Sequence, residues 1–525
     1  MKLSQKTFYD KVLGCWMGKN IGGTLGTPVE WFRQLNDIHF YTHDLNGDPL
    51  PNDDLDLQLI WLKCVENQGI RITARDLAEY WLDYQVANYS EYGIGKANMK
   101  AGILPPMSGT WGNEYKDSCG AYIRSEIWAC MCPGRPDLAV QYAYEDAIVD
   151  HGNGEGTYAA LFSAAMESAA FVISDYKKMV EIGLSYIPED CGVAKAIATA
   201  YDCYEKGMDW VECRDTILDL HGGRMMYEDM CSARDYEKDL HRGKRGYDVP
   251  SNIAIIVAGI LYGENDFEKT ICTIVNMGED TDCTAGTFGA VYGIINGYSN
   301  IPQKWIDPIG HNIVTVCCNN AHRPNFPKTV EELTERTIVQ SKIVSLSYNG
   351  KDGKKTMDIF GDTDDISDLD EKSLYFNRKH IFNDYEIMMS LNGPRFDCPL
   401  FSTCLDYEKN CLLSEDDKCK IKLLIGLKEI NEPMNMKIEW LSNDLLVEPQ
   451  ECIMVPVWQK SFKKLETVEF TVSPMIMKHI YEGTIKITVP GRPTVMHIPV
   501  TLESYKRENA KDPYYKEKEV YKNLK

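Results

Sequence analysis

The apolar period changes once along this chain, from about 3.6 residues to about two, so two kinds of architecture must follow each other. Up to about residue 345, apolar residues recur three and four apart. DDLDLQLIWLKCVE (53–66), DLAEYWLDYQV (76–86), TYAALFSAAMESAAFVI (157–173) and VAKAIATAYDCYEKG (193–207) all show this spacing, which lines one face of a helix. TVEELTERTIVQSKIVS (329–345) predicts a last amphipathic helix. From about residue 418 the period is two. Met434, Met436, Ile438 and Trp440 alternate with polar residues, as do Ile485, Ile487 and Val489. Pro433, Pro474, Pro490-Gly491 and Pro499 cut this region into short strands. The expectation is a multidomain chain: an all-α domain over 1–346, then an immunoglobulin-like antiparallel β-sandwich over 374–505. Residues 347–373 read as a charged linker or surface loop, and 506–525 as a polar tail.

A chain of 525 residues is too long for one ordinary core, which agrees with two or three domains. Its net charge of −22, from 56 basic and 78 acidic residues, argues against nucleic acid or an anionic membrane as partner, because both need a positive face. No apolar run is long enough to span a bilayer, and the first residues carry no secretory pattern. The 18 cysteines are scattered, with no CxxC pair. They read as reduced, mostly buried thiols, and the expected location is the cytoplasm. Homo-oligomerisation is left open.

Two acidic clusters interrupt the helical region. Glu279, Asp280 and Asp282 precede a glycine-rich apolar run, and Asn52, Asp53, Asp54 and Asp56 open another amphipathic helix. One such carboxylate is explained by a helix start, where free N–H groups favour negative charge. Two clusters of close aspartates predict a shared divalent cation, since one cap needs one oxygen. The glycines add to this. Gly14, Gly18, Gly22 and Gly26 are four apart, as are Gly289, Gly293 and Gly297. Glycine costs about 1 kcal/mol against alanine inside a helix. Repeating that cost along one face makes sense where another helix must approach closely. The inference is that these faces pack and bring acidic helix ends together, with Glu30 just beyond the first. Oxygen ligands of this kind suit Mg²⁺, Mn²⁺ or Ca²⁺ and not zinc.

The segments GCWMGKNIGGTLGTPVE (14–30), PNDDLDLQLIW (51–61), DHGNGEG (150–156) and GEDTDCTAGTFGAVYG (278–293), followed by IPQKW (301–305), resemble the motifs of the ADP-ribosylglycohydrolase family in order and spacing. The resemblance runs over roughly residues 8 to 340. It implies an all-α fold with a metal site in a cleft, Mg²⁺ as cofactor with Mn²⁺ possible, and hydrolysis of a glycosidic bond to a furanose. Carried over position by position, it implies Asn52, Asp53, Asp54, Asp280, Asp282 and Cys283 as metal ligands. It also implies Glu30 and Asp54 as catalytic carboxylates, and Ser118, Gly120, His151 and Gly152 beside the substrate. Asn52, Leu55 and Cys283 stand where the family pattern has threonine. An amide oxygen still ligates a hard cation, whereas a thiol matches Mg²⁺ poorly, so the count of ions is one or two.

The expected substrate is a small molecule or glycoside, either ADP-ribosyl or nucleoside-like or a plain carbohydrate furanoside. A β domain beside a hydrolase leans toward carbohydrate by analogy alone. The alternative is a ribosyl-ligand or sugar-binding protein with weak or lost catalysis, motivated by Leu55 and Cys283.

Overall fold

The computed structural model describes residues 1–223, 230–242, 249–319, 325–350, 354–376, 393–408, 411–413, 418–427, 433–449, 452–457, 465–476 and 478–504. The polar tail at 506–525 lies outside them. The chain divides into two compact units. The first comprises Met1–Ala87, Glu114–Ala147 and Asn153–Asn377, and the second Asn88–Asn113, Ile148–Gly152 and Arg378–Lys525.

The first unit is helical, and its organising contact is between helices Gln5–Gly26 and Thr281–Asn296. Ser4 caps the first of these, its hydroxyl accepting from the Thr7 N–H at 3.1 Å. The glycine spacing is realised as close backbone packing. A Cβ at Gly18 would lie 1.9 Å from the Gly289 carbonyl oxygen, and one at Gly22 2.1 Å from that of Ala285. In the reverse direction, a Cβ at Gly293 would lie 1.9 Å from the Gly14 carbonyl oxygen. Gly26 falls against Thr281 and Asp282, and Gly14 against Gly293 and Gly297, so the helices run antiparallel. The end of the first helix thereby meets the start of the second. No side chain larger than hydrogen fits at these crossings, which is what the helix-propensity penalty secures.

The segment expected as a linker docks on this unit where it is described. Asp364 Oδ1 accepts from the Ser4 N–H at 2.6 Å, and Asp364 Oδ2 from the Thr7 hydroxyl at 2.8 Å. Met357, Ile359 and Leu374 are buried, while the charged residues between them stay in water.

The second unit holds two antiparallel sheets. Its strands are β1 (Arg395–Asp397), β2 (Phe401–Asp406), β3 (Cys419–Leu427), β4 (Met434–Leu441), β5 (Leu445–Glu448), β6 (Cys452–Val457), β7 (Glu466–Pro474), β8 (Ile480–Thr488) and β9 (Val495–Glu503). One sheet has the order β1-β2-β3-β7-β5 and the other β6-β4-β8-β9. The period-two residues point as expected: Met434, Met436, Ile438 and Trp440 are all buried, and Ile438 pairs with Ile487 across β4 and β8. Both sheets feed one apolar core.

Residues 88–113 and 148–152 group with these sheets, so the packing does not follow a single cut at 346. Ile103, Met107 and Trp111 enter the β core, and the Trp111 indole N–H donates to Glu503 Oε2 at 2.9 Å. Their own spacing is helical, so the period alone gives no sign of this partner. No helix among the described residues is long and apolar enough to cross a membrane.

Candidate metal centre

The site grows from the two helix ends that the glycine faces bring together. After Gly26 the chain makes the short turn Thr27–Val29 and reaches Glu30. The next residues clamp the facing strand of chain. Trp31 N–H donates to the Glu279 carbonyl at 3.1 Å, and Glu279 N–H returns a bond to the Phe32 carbonyl at 3.1 Å. The buried Arg33 holds the Glu279 carboxylate through both oxygens, at 2.5 and 2.7 Å. Its remaining nitrogen donates to the carbonyls of Gly223 and Leu240, each at 2.6 Å. Glu279 is thus consumed in positioning. Glu30 and Asp280, its neighbours on the two paired stretches, are free to face a common point.

Among the described residues, Glu30, Asp280 and Asp282 each offer an oxygen within 4.8 Å of the others. Asp54, Asp282 and Cys283 form a second group by the same measure, and Asp282 belongs to both. Asp53 is in neither group, although its charge acts on Glu30, Asp280 and Asp282.

The helix-cap explanation of the acids can now be checked directly. Asn52 does cap: its Oδ1 accepts from the Asp54 N–H at 2.8 Å. Its amide nitrogen points to Asp282 Oδ2 at 3.4 Å. Asp280 occupies the N-cap position of Thr281–Asn296 but makes no side-chain cap bond. Asp280 Oδ1 and Asp282 Oδ1 are buried and meet no hydrogen-bond donor. Buried carboxylate oxygens without a donor are costly, and hard oxygens so placed fit a hard dication. Cys283 fits less well. Its thiol lies 3.5 Å from Asp54 Oδ1. Thr284 supplies no replacement, because its hydroxyl donates to the Asp280 carbonyl at 3.0 Å.

A buried ion pair that sequence reasoning missed lies beside the second group. Lys19 Nζ is 3.0 Å from Asp54 Oδ2 and 2.9 Å from Glu126 Oε1, with all three side chains essentially inaccessible. Gln58 donates to Glu126 Oε2 at 2.8 Å. Lys19 is the one charged residue in the glycine-spaced stretch 14–26, a signal that was there to be read. Glu126 carries none.

The electrostatics follow from this crowding. Burial first, then the charges of Asp280, Asp53 and Asp54, hold Glu30 well above the ordinary carboxylate range. Asp282 is raised in the same way, by burial and then by Glu30, Asp54 and Asp280. Burial raises Asp280, with the Cys283 thiol, Asp282 and Cys119 opposing. Asp54 is pushed up to about 6, by burial against the pull of Lys19. Burial acts to lower Lys19, and the charges of Asp54 and Glu126 more than offset it. An acid whose folded pKa exceeds its unfolded value of about 4 contributes stability that is complete below that pH and disappears as pH rises through the folded value. For Asp54 the metal-free protein is therefore expected to lose thermal stability between about pH 4 and about pH 6. Added Mg²⁺ should oppose that loss, because ion binding favours the ionised carboxylates. Thermal denaturation at several pH values, with EDTA or Mg²⁺, measures both.

The other sequence-derived residues are placed as follows. The Ser118 hydroxyl donates to the Tyr115 carbonyl at 2.7 Å, and the Gly120 carbonyl accepts from Arg124 Nη1 at 2.6 Å. Both hold the loop whose Cys119 reaches Asp280. His151 and Gly152 fall in the second unit. His151 is buried, with Nε2 3.7 Å from Asp150 Oδ2. Gly152, at φ 53°, lets the chain approach Thr110 and Pro106; a Cβ there would lie 2.0 Å from the Thr110 hydroxyl oxygen.

A helical unit that gathers distant carboxylates at paired helix ends defines the class. The chain belongs to the ADP-ribosylglycohydrolase family, whose model matches residues 4–342. It is thus a hydrolase of the ADP-ribosylglycohydrolase type, in a family generally dependent on divalent metal. An uncharacterised protein of Archaeoglobus fulgidus is 24% identical over 311 residues, covering 57% of this chain and 91% of that one. The ADP-ribosylarginine hydrolase Tri1 of Serratia proteamaculans is 37% identical over 49 residues, 9% of this chain and 13% of that one. A solved structure, an ADP-ribosylglycohydrolase-related protein complex, is similar at 17% identity and a TM-score of 0.37, covering 64% of this chain and 99% of that one.

Proposed function

We propose that the helical unit hydrolyses a glycosidic bond to a ribofuranose, with Mg²⁺ as the working cofactor and Mn²⁺ able to replace it. The observation that carries this reading is the pair of acidic groups joined through Asp282, in which Asp280 Oδ1 and Asp282 Oδ1 are buried without a hydrogen-bond donor. The ligands would come from Glu30, Asp280 and Asp282, with Asp53, Asp54, Asn52 and Cys283 around them. A hard dication held there would supply a Lewis acid for the sugar hydroxyls and for water.

The chain's own residues have separable tasks. Glu30 is half-buried, and burial with its like-charged neighbours favours its protonated form, which suits it to hold or pass a proton. Asp54 is wholly buried and paired to Lys19, which suits it to fixing the site's shape and charge more than to proton transfer. The carboxylates together favour positive charge at the anomeric carbon, as an oxocarbenium-like transition state requires. The 118–124 loop, beside Asp280, is the proposed substrate-facing wall. ADP-ribosyl is the favoured glycosyl group, in line with the family and with the name of the Serratia relative, and a plain furanoside is the competing one.

Purified protein would be incubated with ADP-ribosylarginine, ADP-ribosylserine and nitrophenyl furanosides, with Mg²⁺, Mn²⁺ or EDTA. Turnover of one of these, lost in EDTA and restored by metal, is the expected result. Tight binding of a ribosyl compound with no turnover of any would instead make the protein a binder.

A further inference from the structure

Resting on the metal-dependent reading above, we propose that Lys19 is a resident cation that replaces a second metal ion, so that the site takes a single dication at Glu30, Asp280 and Asp282.

The two acidic groups differ in what already occupies their oxygens. In the second group, Asp54 Oδ2 is 3.0 Å from Lys19 Nζ, and Asp54 Oδ1 faces the Cys283 thiol at 3.5 Å. Asn52 Oδ1 is engaged with the Asp54 N–H. Apart from Asp282, which the two groups share, the ligand atoms of this group are thus either engaged by a cation or a hydrogen bond, or are a soft sulfur. In the first group, Asp280 Oδ1 and Asp282 Oδ1 meet no donor, and their residues are 5% and 2% exposed.

Lys19 is built into this place. It extends from the first helix past Gly286 on the helix that carries Asp282. A Cβ at Gly286 would stand 3.2 Å from Lys19 Cδ and 3.4 Å from Nζ, so the missing side chain keeps the corridor clear. Glu126, fixed by Gln58, holds the ammonium from the other side at 2.9 Å. A dication placed on Asp54 would sit next to this ammonium in a poorly screened interior, where like charges repel strongly. Removing the lysine's charge would leave Asp54 and Glu126 buried and uncompensated, which creates the demand for another cation.

The test counts ions. Full-length protein is stripped with EDTA and titrated with Mn²⁺, read by elemental analysis after gel filtration and by electron paramagnetic resonance. The wild type should hold one Mn²⁺ per chain with the spectrum of an isolated ion. Lys19→Met combined with Cys283→Thr should take a second, with an exchange-coupled spectrum. Lys19→Arg, which keeps the charge, should stay at one. Two coupled ions in the wild type would overturn the inference and leave the metal-dependent reading intact. No bound ion in the wild type would overturn both. Cys283→Thr alone should also stay at one; a second ion there would mean the thiol, and not Lys19, excludes it. The wild-type and Cys283→Thr counts decide the matter even if the Lys19→Met chain does not fold.

Discussion

Asp282→Asn is expected to weaken divalent-ion binding by at least ~100-fold, since even residues that only support ligands cost 10–100-fold, and to raise the thermal midpoint of the metal-free protein. The two effects have one cause. Asp282 is common to both acidic groups, and its charge is opposed by those of Glu30, Asp54, Asp280 and Asp53. The amide keeps the shape and removes the repulsion, and it also removes the anionic oxygen that a dication needs. Mg²⁺ at ~100 times its Kd adds about 2.7 kcal/mol to a protein that binds it only when folded. The variant should show none of that gain. Thermal melts with EDTA and with Mg²⁺ give both numbers. A variant that is less stable without metal yet still stabilised by Mg²⁺ would sink the assignment of Asp282 to the ion.

Gly18→Ala is the second large effect expected, a destabilisation of about 3 kcal/mol, the upper end for an overpacked core. Intrinsic propensity points the other way, because alanine favours a helix over glycine by about 1 kcal/mol. The sign of the measured change is therefore diagnostic. A Cβ at Gly18 would lie 1.9 Å from a carbonyl oxygen of the facing backbone, so the helices would have to separate along their length. Separation would also pull Glu30 away from Asp280, and Mg²⁺ affinity should fall with stability. Gly361, with nothing within 4 Å of a Cβ, is the control; Gly361→Ala should change stability by less than about 0.5 kcal/mol. Urea denaturation of the two variants makes the comparison. A Gly18→Ala protein as stable as the wild type would mean the helices do not pack at this distance.

Much of the candidate metal centre was legible because it lies in local patterns. Four-residue glycine spacing pointed to a closely approaching helix, which the structure realises between Gln5–Gly26 and Thr281–Asn296; their antiparallel direction comes from the contacts alone. Aspartates clustered at both helix starts then had to converge. The split between capping and ligation was not legible, since Asn52 and Asp280 hold the same kind of position. Only their contacts show that one oxygen is taken by the Asp54 N–H and that the other residue makes no cap bond.

The family resemblance placed His151 and Gly152 by motif, whereas packing assigns them to the second unit. Asp56 illustrates the limit from the other side. It sits within the acidic cluster by sequence, yet its Oδ2 accepts the N–H groups of Val316 and Cys317 at 2.6 Å, a loop that no local pattern links to it.

The sequence by itself determined where the chain is helical, where it alternates, and which acids stand at helix starts, because each of these is a matter of spacing along a few turns. The tertiary structure alone decided which oxygens stay open for a cation and which are already neutralised. Lys19, Asp54 and Glu126 come from three separate stretches of chain, and their meeting depends on how closely two glycine-faced backbones approach. Charge compensation inside a protein acts over a few ångströms, and periodicity carries no record of distances across the fold.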